Sequence, residues 1–250
     1  VKILTIGVNY VDYLMIKGLY QHKNLLPFIP GTQAYGIIVE ENCNNKFLLN
    51  KRVIINSKGG CFSELSVFNL ENIILINNHK MDSLSASSFY MSVLTSYVSL
   101  VEIAKIKKNS NVLITGASGN IGQTSIQLCS HLKANVIAMV SNDWKRLKLE
   151  QLGCNNVFKY NKNTNNSIMK VTKSLGVDVV LDINGLAIKY NLLKNLKWRG
   201  KFIIVGFTDN NIEAIRTNYI LIKGLQVFGV RAGEYFRKLQ NSKKKKINKI

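Results

Sequence analysis

One stretch constrains the fold of this chain more than any other: VLITGASGNIGQTSIQL, residues 112–128. An apolar run ends in a turn where Gly116, Gly119 and Gly122 recur every third residue, and a helical pattern opens at Ile121. Strand, tight turn and helix in this order need small residues for three reasons. One lets the chain bend, one lets backbone approach a pyrophosphate, and one lets helix and strand pack closely. The helix start then presents unpaired N–H groups and a partial positive charge to an anion. The expectation is a dinucleotide site, its pyrophosphate cradled by the backbone N–H groups of Gly116, Ala117, Ser118, Gly119, Asn120 and Ile121.

After residue 110 the chain alternates between apolar strands and helices. Strands are expected at Asn111–Thr115, Asn135–Val140, Asn156–Lys159, Asp178–Asp182, Lys201–Gly206 and Leu225–Val230. Helices are expected at Ile121–Leu132, Asp143–Leu152, Ser167–Ser174 and Ile188–Leu196. Strands this apolar, with helices between them, predict a parallel sheet buried on both faces. Six of them match a doubly wound, Rossmann-type α/β fold. In such a sheet the carboxyl ends of the strands border the ligand crevice. Gly206, Phe207 and Thr208 after the fifth strand, with Val230 and Arg231 after the sixth, are therefore candidate nicotinamide contacts.

The second strand of this series selects the cofactor. A carboxylate at its end, about 20 residues beyond the glycines, receives the ribose hydroxyls of NAD. Here the strand runs into Ser141 and Asn142, both neutral, and Lys145 and Arg146 follow within one helical turn. A neutral floor with a cationic rim suits a ribose 2′-phosphate, so NADPH is expected, bound by Ser141, Asn142 and Lys145. Asp143 reads as a first-turn acid of the next helix.

Before residue 100 the pattern is different. Short β-type runs at Lys2–Ile6, Tyr35–Glu40, Arg52–Asn56, Ser63–Phe68 and Ile73–Ile76 are separated by Asn, Gly and Lys clusters, as in a barrel or sandwich. Asp82 or Ser83 is placed to cap a helix through Ser99, leading into a linker helix over Tyr97–Ile106. The expected organisation is a β-rich, barrel-like catalytic domain over 1–98, a nucleotide-binding domain over 99–232, and a basic tail over 233–250. With 34 Lys and Arg against 14 Asp and Glu, the formal net charge is +20. The excess is scattered Lys beside abundant Asn, and its one dense run is Lys243 to Lys246. Specific nucleic-acid recognition is therefore not expected. The four cysteines form no pair motif. No membrane-spanning run or signal peptide is expected, and the reading is a reduced, cytoplasmic protein.

In order along the chain, several segments resemble the medium-chain dehydrogenase/reductase superfamily, and within it the zinc-free quinone oxidoreductases. They are GVNYVDYLMIKGLY, LPFIPGTQAYG, FLLNKRV, GGCFSELSVF, LTSYVSLVEIAKIKKNSNVLITGASGNIG, VVLDING, GKFIIVGF and LIKGLQVFGVRAGEY. FLLNKRV departs from the family's turn, with Asn50-Lys51 in place of Gly-Asp, and Leu14 stands where many relatives have Tyr. The resemblance implies a two-domain enzyme that reduces quinones or activated carbon–carbon double bonds with NADPH. It implies Thr95 near the nicotinamide and Tyr160 on the adenosine side. In the catalytic domain it points to Asn9, Asp12 and Tyr20. Asn9 offers amide donors and a carbonyl acceptor to a substrate oxygen, and Tyr20 offers a hydroxyl donor where negative charge develops. Asp12 is expected to orient Asn9 or nearby backbone.

Where zinc-dependent relatives carry metal ligands, this sequence has Asn9, Thr32, Gln33 and, near the third site, Met91. No metal is expected, and without a Lewis acid the substrate must itself accept hydride readily. Relatives pair through the sixth strand, which implies a homodimer. Against the family the chain looks short at both ends. The alternatives are an enal, enone or enoyl-thioester reductase, and a cofactor- or RNA-binding protein without catalysis.

Overall fold

The computed structural model describes residues 1–42, 46–76, 81–208 and 212–239. The chain forms two compact units that part between Met91 and Ser92.

The first unit contains β1 (Lys2–Gly7), α1 (Tyr10–Ile16), β2 (Gln33–Ile37), β3 (Arg52–Asn56), β4 (Ile73–Leu75) and the start of α2 (Ser83–Tyr97). The four strands form one antiparallel sheet in the order β1-β2-β3-β4. Among the described residues it is an open sheet rather than the expected barrel. Successive side chains of β2 and β3 point to opposite faces, which splits their apolar residues between two small cores. Ala34, Val53 and Ile55 join Ile38, Leu48 and Cys61, while Tyr35 and Ile54 join Ala86 of α2. The expected strand Ser63–Phe68 is reduced to one bridge, Lys2 with Leu65. Leu65 is 63% and Val67 96% exposed, and although Ile3 N–H donates to Glu64 O, Ser66 N–H to Val1 O and Phe68 packs on the core, the run keeps only this edge contact with β1 and no continuous buried face. The helix α1 is an addition to the expected elements, in a segment whose pattern predicts only the strand before it.

The second unit begins with the end of α2 and a π-helical turn at Val98–Ile103. It continues through β5 (Asn111–Ile114), α3 (Asn120–His131), β6 (Asn135–Val140), α4 (Arg146–Gln151), β7 (Asn156–Lys159), α5 (Thr164–Val171), β8 (Val177–Asp182) and α6 (Leu186–Lys189). β9 (Leu196–Ile204), α7 (Thr217–Lys223), β10 (Gln226–Gly229) and α8 (Ala232–Lys238) complete it. Its six strands are parallel, in the order β10-β9-β8-β5-β6-β7. This is the doubly wound arrangement, with its topological switch between β5 and β8. Leu113, Met139, Val180 and Phe202 are fully buried in its core.

Four expectations change here. The helix expected at Ile188–Leu196 is replaced by the four-residue α6 and a 3-10 turn at Leu192–Asn195, because Asn191 adopts φ +57° and Leu196 already belongs to β9. α7 is a second addition to the expected elements. The segment expected as tail from 233 begins as α8, where Tyr235 donates to the Glu102 carboxylate at 3.1 Å. The run Lys243–Lys246 lies outside the described residues. Contrary to the expectation of no spanning run, Ser83–Ile103 is long and apolar enough to cross a membrane by length and composition, but half of it is buried within the protein, as in a core helix.

Candidate functional site

The three glycines of the turn between β5 and α3 do three different things. Gly116 holds φ +60°, the left-handed region that only glycine enters freely. A Cβ on Gly122 would lie 2.5 Å from the Ala117 backbone, so this glycine sets the closeness of helix and turn. Gly119 has an ordinary φ of −78°, and a Cβ there would meet nothing nearer than the Gly116 carbonyl at 3.6 Å. The fold therefore does not need glycine at 119, and its absent side chain leaves an open cradle.

The amides divide accordingly. Gly116 N–H donates to the Tyr160 hydroxyl at 3.2 Å, Ala117 N–H to Met139 O at 3.4 Å, and Gly119 N–H to Gly116 O at 3.1 Å. The first intrahelical bond is Gln123 N–H to Gly119 O at 2.9 Å. Asn120, Ile121 and Gly122 thus open α3 with no intrahelical acceptor. Of the expected cradle, Asn120 and Ile121 belong to this donor set, whereas Gly116, Ala117 and Gly119 already donate within the protein. The Ser118 carbonyl is fixed by Gln123 Nε2 at 2.7 Å.

Beside the turn lies a small cavity of about 110 Å³, lined by Ser118, Gln123, Trp144, Lys145, Lys148 and Leu149. Ser141 and Asn142 leave the end of β6 exposed, and Asp143 is exposed in the following 3-10 turn. Lys145 Nζ sits 5.2 Å from the centre of the Trp144 ring. Arg146 is engaged with Glu150 at 3.9 Å. The sequence reading missed Gln123, Trp144 and Lys148. The spacing Lys145–Lys148 is one helical turn and could have revealed the second cation.

Tyr160 follows β7, stacks on Tyr190 with ring centres 4.6 Å apart, and braces Gly116 from below. Burial pushes its hydroxyl up to about 12, so it stays protonated. Asp182, at the end of β8, is the second brace. Its carboxylate accepts Thr115 Oγ1 at 2.5 Å, Gly185 N–H at 3.0 Å and Ala187 N–H at 3.2 Å, and burial raises its pKa despite these donors. It ties the ends of β5 and β8 at the switch point, a role the sequence reading did not assign. Gly206, Phe207 and Thr208 continue beyond β9 along Ile183–Gly185, where Thr208 N–H donates to Asn184 O at 3.2 Å. Val230 N–H donates to Ile204 O at 2.8 Å, and Arg231 caps α8. Thr95 is buried in α2, and its neighbour Ser96 donates to Ile121 O at 3.2 Å, which places this part of α2 against the start of α3.

In the first unit, Asn9 caps α1, and its side-chain amide donates to Gly7 O at 3.2 Å. Asp12 is 1% exposed, and its two oxygens accept Asn9 N–H and Thr32 N–H, each at 2.8 Å. The carboxylate thus clamps the start of α1 to the start of β2. Tyr20 is half-buried after α1, and no hydrogen bond joins it to Asn9 or Asp12. The structure joins the first two residues directly through the Asn9 N–H and the Asp12 carboxylate.

At the positions where zinc-dependent relatives carry ligands, Thr32 is engaged through its backbone and Gln33 is fully buried with neither amide atom hydrogen-bonded. Among the described residues, no three His, Cys, Asp or Glu side chains converge as a metal site. Neutral amides and a hydroxyl do not make a zinc ligand set. Burial pushes the thiols of Cys61 and Cys129 up to about 12 and that of Cys154 to about 11, so none is a nucleophile at neutral pH.

Residues 120–245 match the sequence family described as zinc-binding dehydrogenase. The chain belongs to that family, within the medium-chain dehydrogenase/reductase superfamily. This family member is 27% identical to quinone oxidoreductase-like protein 2 of Rattus norvegicus over 92% of its own length and 66% of the relative's. It is 28% identical to prostaglandin reductase-3 of Bos taurus over 82% of its length and 54% of the relative's. The chain thus spans about two thirds or less of the curated relatives it matches. Its fold is similar to that of the quinone oxidoreductase of Thermus thermophilus, solved also in complex with NADPH. The TM-score is 0.83 at 21% identity, over 98% of this chain and 75% of that one.

Proposed function

We propose that this chain carries the cofactor-binding part of an NADPH-dependent oxidoreductase that passes hydride to a quinone or another activated double bond without zinc. The observation that carries the reading is the turn at Gly119. It is open where the fold does not demand it, and it faces the helix-opening amides of Asn120, Ile121 and Gly122. Bound NADPH supplies the hydride, and the chain supplies position and electrostatics.

In this reading those amides hold the pyrophosphate. Ser141, Asn142 and Lys145 hold the adenosine ribose and its 2′-phosphate. Thr95, Gly206, Phe207, Thr208, Val230 and Arg231 border the nicotinamide. Tyr160 and Asp182 keep the turn in shape. Asn9 presents its amide to the substrate oxygen with its backbone fixed by Asp12, and the Tyr20 hydroxyl donates a hydrogen bond where negative charge develops. With Asn9, Thr32, Gln33 and Met91 at the metal-ligand positions, the acceptor must already be electron-poor, which favours quinones and enones. Likeness to prostaglandin reductase-3 supports an enone as the second substrate reading. The same reading has the protein work in the cytoplasm as a homodimer paired through β10, with no membrane or specific nucleic-acid partner.

Titration of the chain with NADPH and NADH, followed by nicotinamide fluorescence, tests the reading. NADPH is expected to bind at least tenfold more tightly than NADH. Lys145→Ala is expected to weaken NADPH about tenfold, a loss typical of one charge-assisted phosphate contact, and to leave NADH unchanged. Equal affinities, or no binding of either, reject it. Steady-state turnover of a benzoquinone against an enone then separates the substrates.

A further inference from the structure

The amino ends of β5, β8 and β9 form a second hollow, of about 210 Å³, at the end of the sheet opposite the glycine turn. It is lined by Lys105, Lys107, Lys197, Arg199 and Lys201 against a single carboxylate, Asp178. That carboxylate is consumed, because it accepts Lys197 Nζ at 3.1 Å and Asn111 N–H at 2.7 Å. Lys201 Nζ is held by the carbonyls of Ile103 and Ala104 at 3.2 and 2.8 Å. Lys105, Lys107 and Arg199 have no carboxylate partner among the described residues.

The backbone is bent to gather them. From Val177 to Val179 β8 advances two residues, while β9 advances five, from Leu196 to Lys201. The three surplus residues bulge outward and carry Trp198 and Arg199 with them. Arg199 takes φ +58° and Lys105 φ +53°, a conformation that L side chains adopt only at a cost. Trp198 rests against Gly224, its ring 3.5 Å from where a Cβ would stand, yet remains 70% exposed. An exposed indole beside three uncompensated cations offers a stacking face and a phosphate site together.

We infer that this hollow binds a nucleoside monophosphate, its base on Trp198 and its phosphate among Lys105, Lys107 and Arg199. A bare phosphate would leave the indole unused, and a nucleoside would leave the cations unpaired.

The test follows Trp198 emission in a Trp144→Phe background, where it is the only tryptophan. AMP, adenosine, inorganic phosphate and a single-stranded oligoribonucleotide are the probes. Saturable quenching by AMP is expected, with adenosine and inorganic phosphate each at least tenfold weaker. Lys105→Gln and Arg199→Gly are each expected to weaken AMP fivefold or more. Arg199→Gly should also raise Tm by roughly 2–4 °C, because it relieves the left-handed backbone. Dependence on Lys105 and Arg199 separates this hollow from the glycine turn, where AMP could also bind. No quenching, equal quenching by adenosine, insensitivity to both substitutions, or response to the oligoribonucleotide alone overturns the inference.

Discussion

At the scale of single residues, the glycine turn makes a prediction in which stability and binding separate. Gly116→Ala places a Cβ at φ +60° and should cost about 1–2 kcal/mol. Gly122→Ala drives a methyl into the Ala117 backbone and should cost about 1–3 kcal/mol or prevent folding. Gly119→Ala meets no clash, so it should cost only the lost N-cap preference, about 1 kcal/mol or less, yet weaken NADPH tenfold or more by filling the cradle. Thermal melts and NADPH titrations of the three variants check this, and a loss of stability in Gly119→Ala as large as that in Gly122→Ala would contradict it. Gln33 gives a second prediction. Its buried amide has no hydrogen-bond partner, so Gln33→Met, similar in volume and free of that burden, should stabilise the first unit by about 1–3 kcal/mol in urea unfolding. The glycine spacing was legible because it follows from local backbone demands. The tasks of Tyr160 and Asp182 were not, because each depends on which strand ends the sheet brings together.

At the scale of elements, α2 is fixed at its start by Asp82, whose carboxylate accepts Ser85 N–H at 2.8 Å and Ser85 Oγ at 2.6 Å. The Ser85 hydrogen bonds hold its carboxyl below the ordinary aspartate range. A carboxyl depressed by folding contributes stability above its unfolded pKa and loses it as pH falls through its folded pKa. Asp82→Ala should therefore lower Tm near pH 7, and the difference from wild type should close once pH falls below that folded value. Melts across an acid series measure it, and a gap independent of pH would refute the cap. Of the two candidate caps, Asp82 or Ser83, the sequence could not choose, because both offer an oxygen. Strands of the parallel sheet were legible to within a few residues, since burial on both faces makes them continuous apolar runs. The short helix α1 and the failed strand at 63–68 were not. Composition reports propensity, but β1, β2 and the exposure of Val67 decide whether a run has a partner and a buried face.

At the scale of the whole molecule, β10 closes one margin of the six-stranded sheet with its outer edge unpaired among the described residues. Val230 N–H points at β9, so by the two-residue period of a strand Val227 N–H points outward. Val227→Pro removes that outward donor alone and should convert the proposed dimer to monomer with the far-UV spectrum intact. Sedimentation velocity decides it, and an unchanged sedimentation coefficient would remove β10 from the interface. The order of the sheet was legible because strand–helix–strand units leave few topologies open. The opposite margin, β7, matters for another reason. The phenol just beyond its last residue reaches past β6 to grip the amide of Gly116. An outlying strand is thus latched to the mouth at the centre. Fraying there would slacken the anion cradle while the interior stays folded, so the outer rim acts as a rein on the pocket.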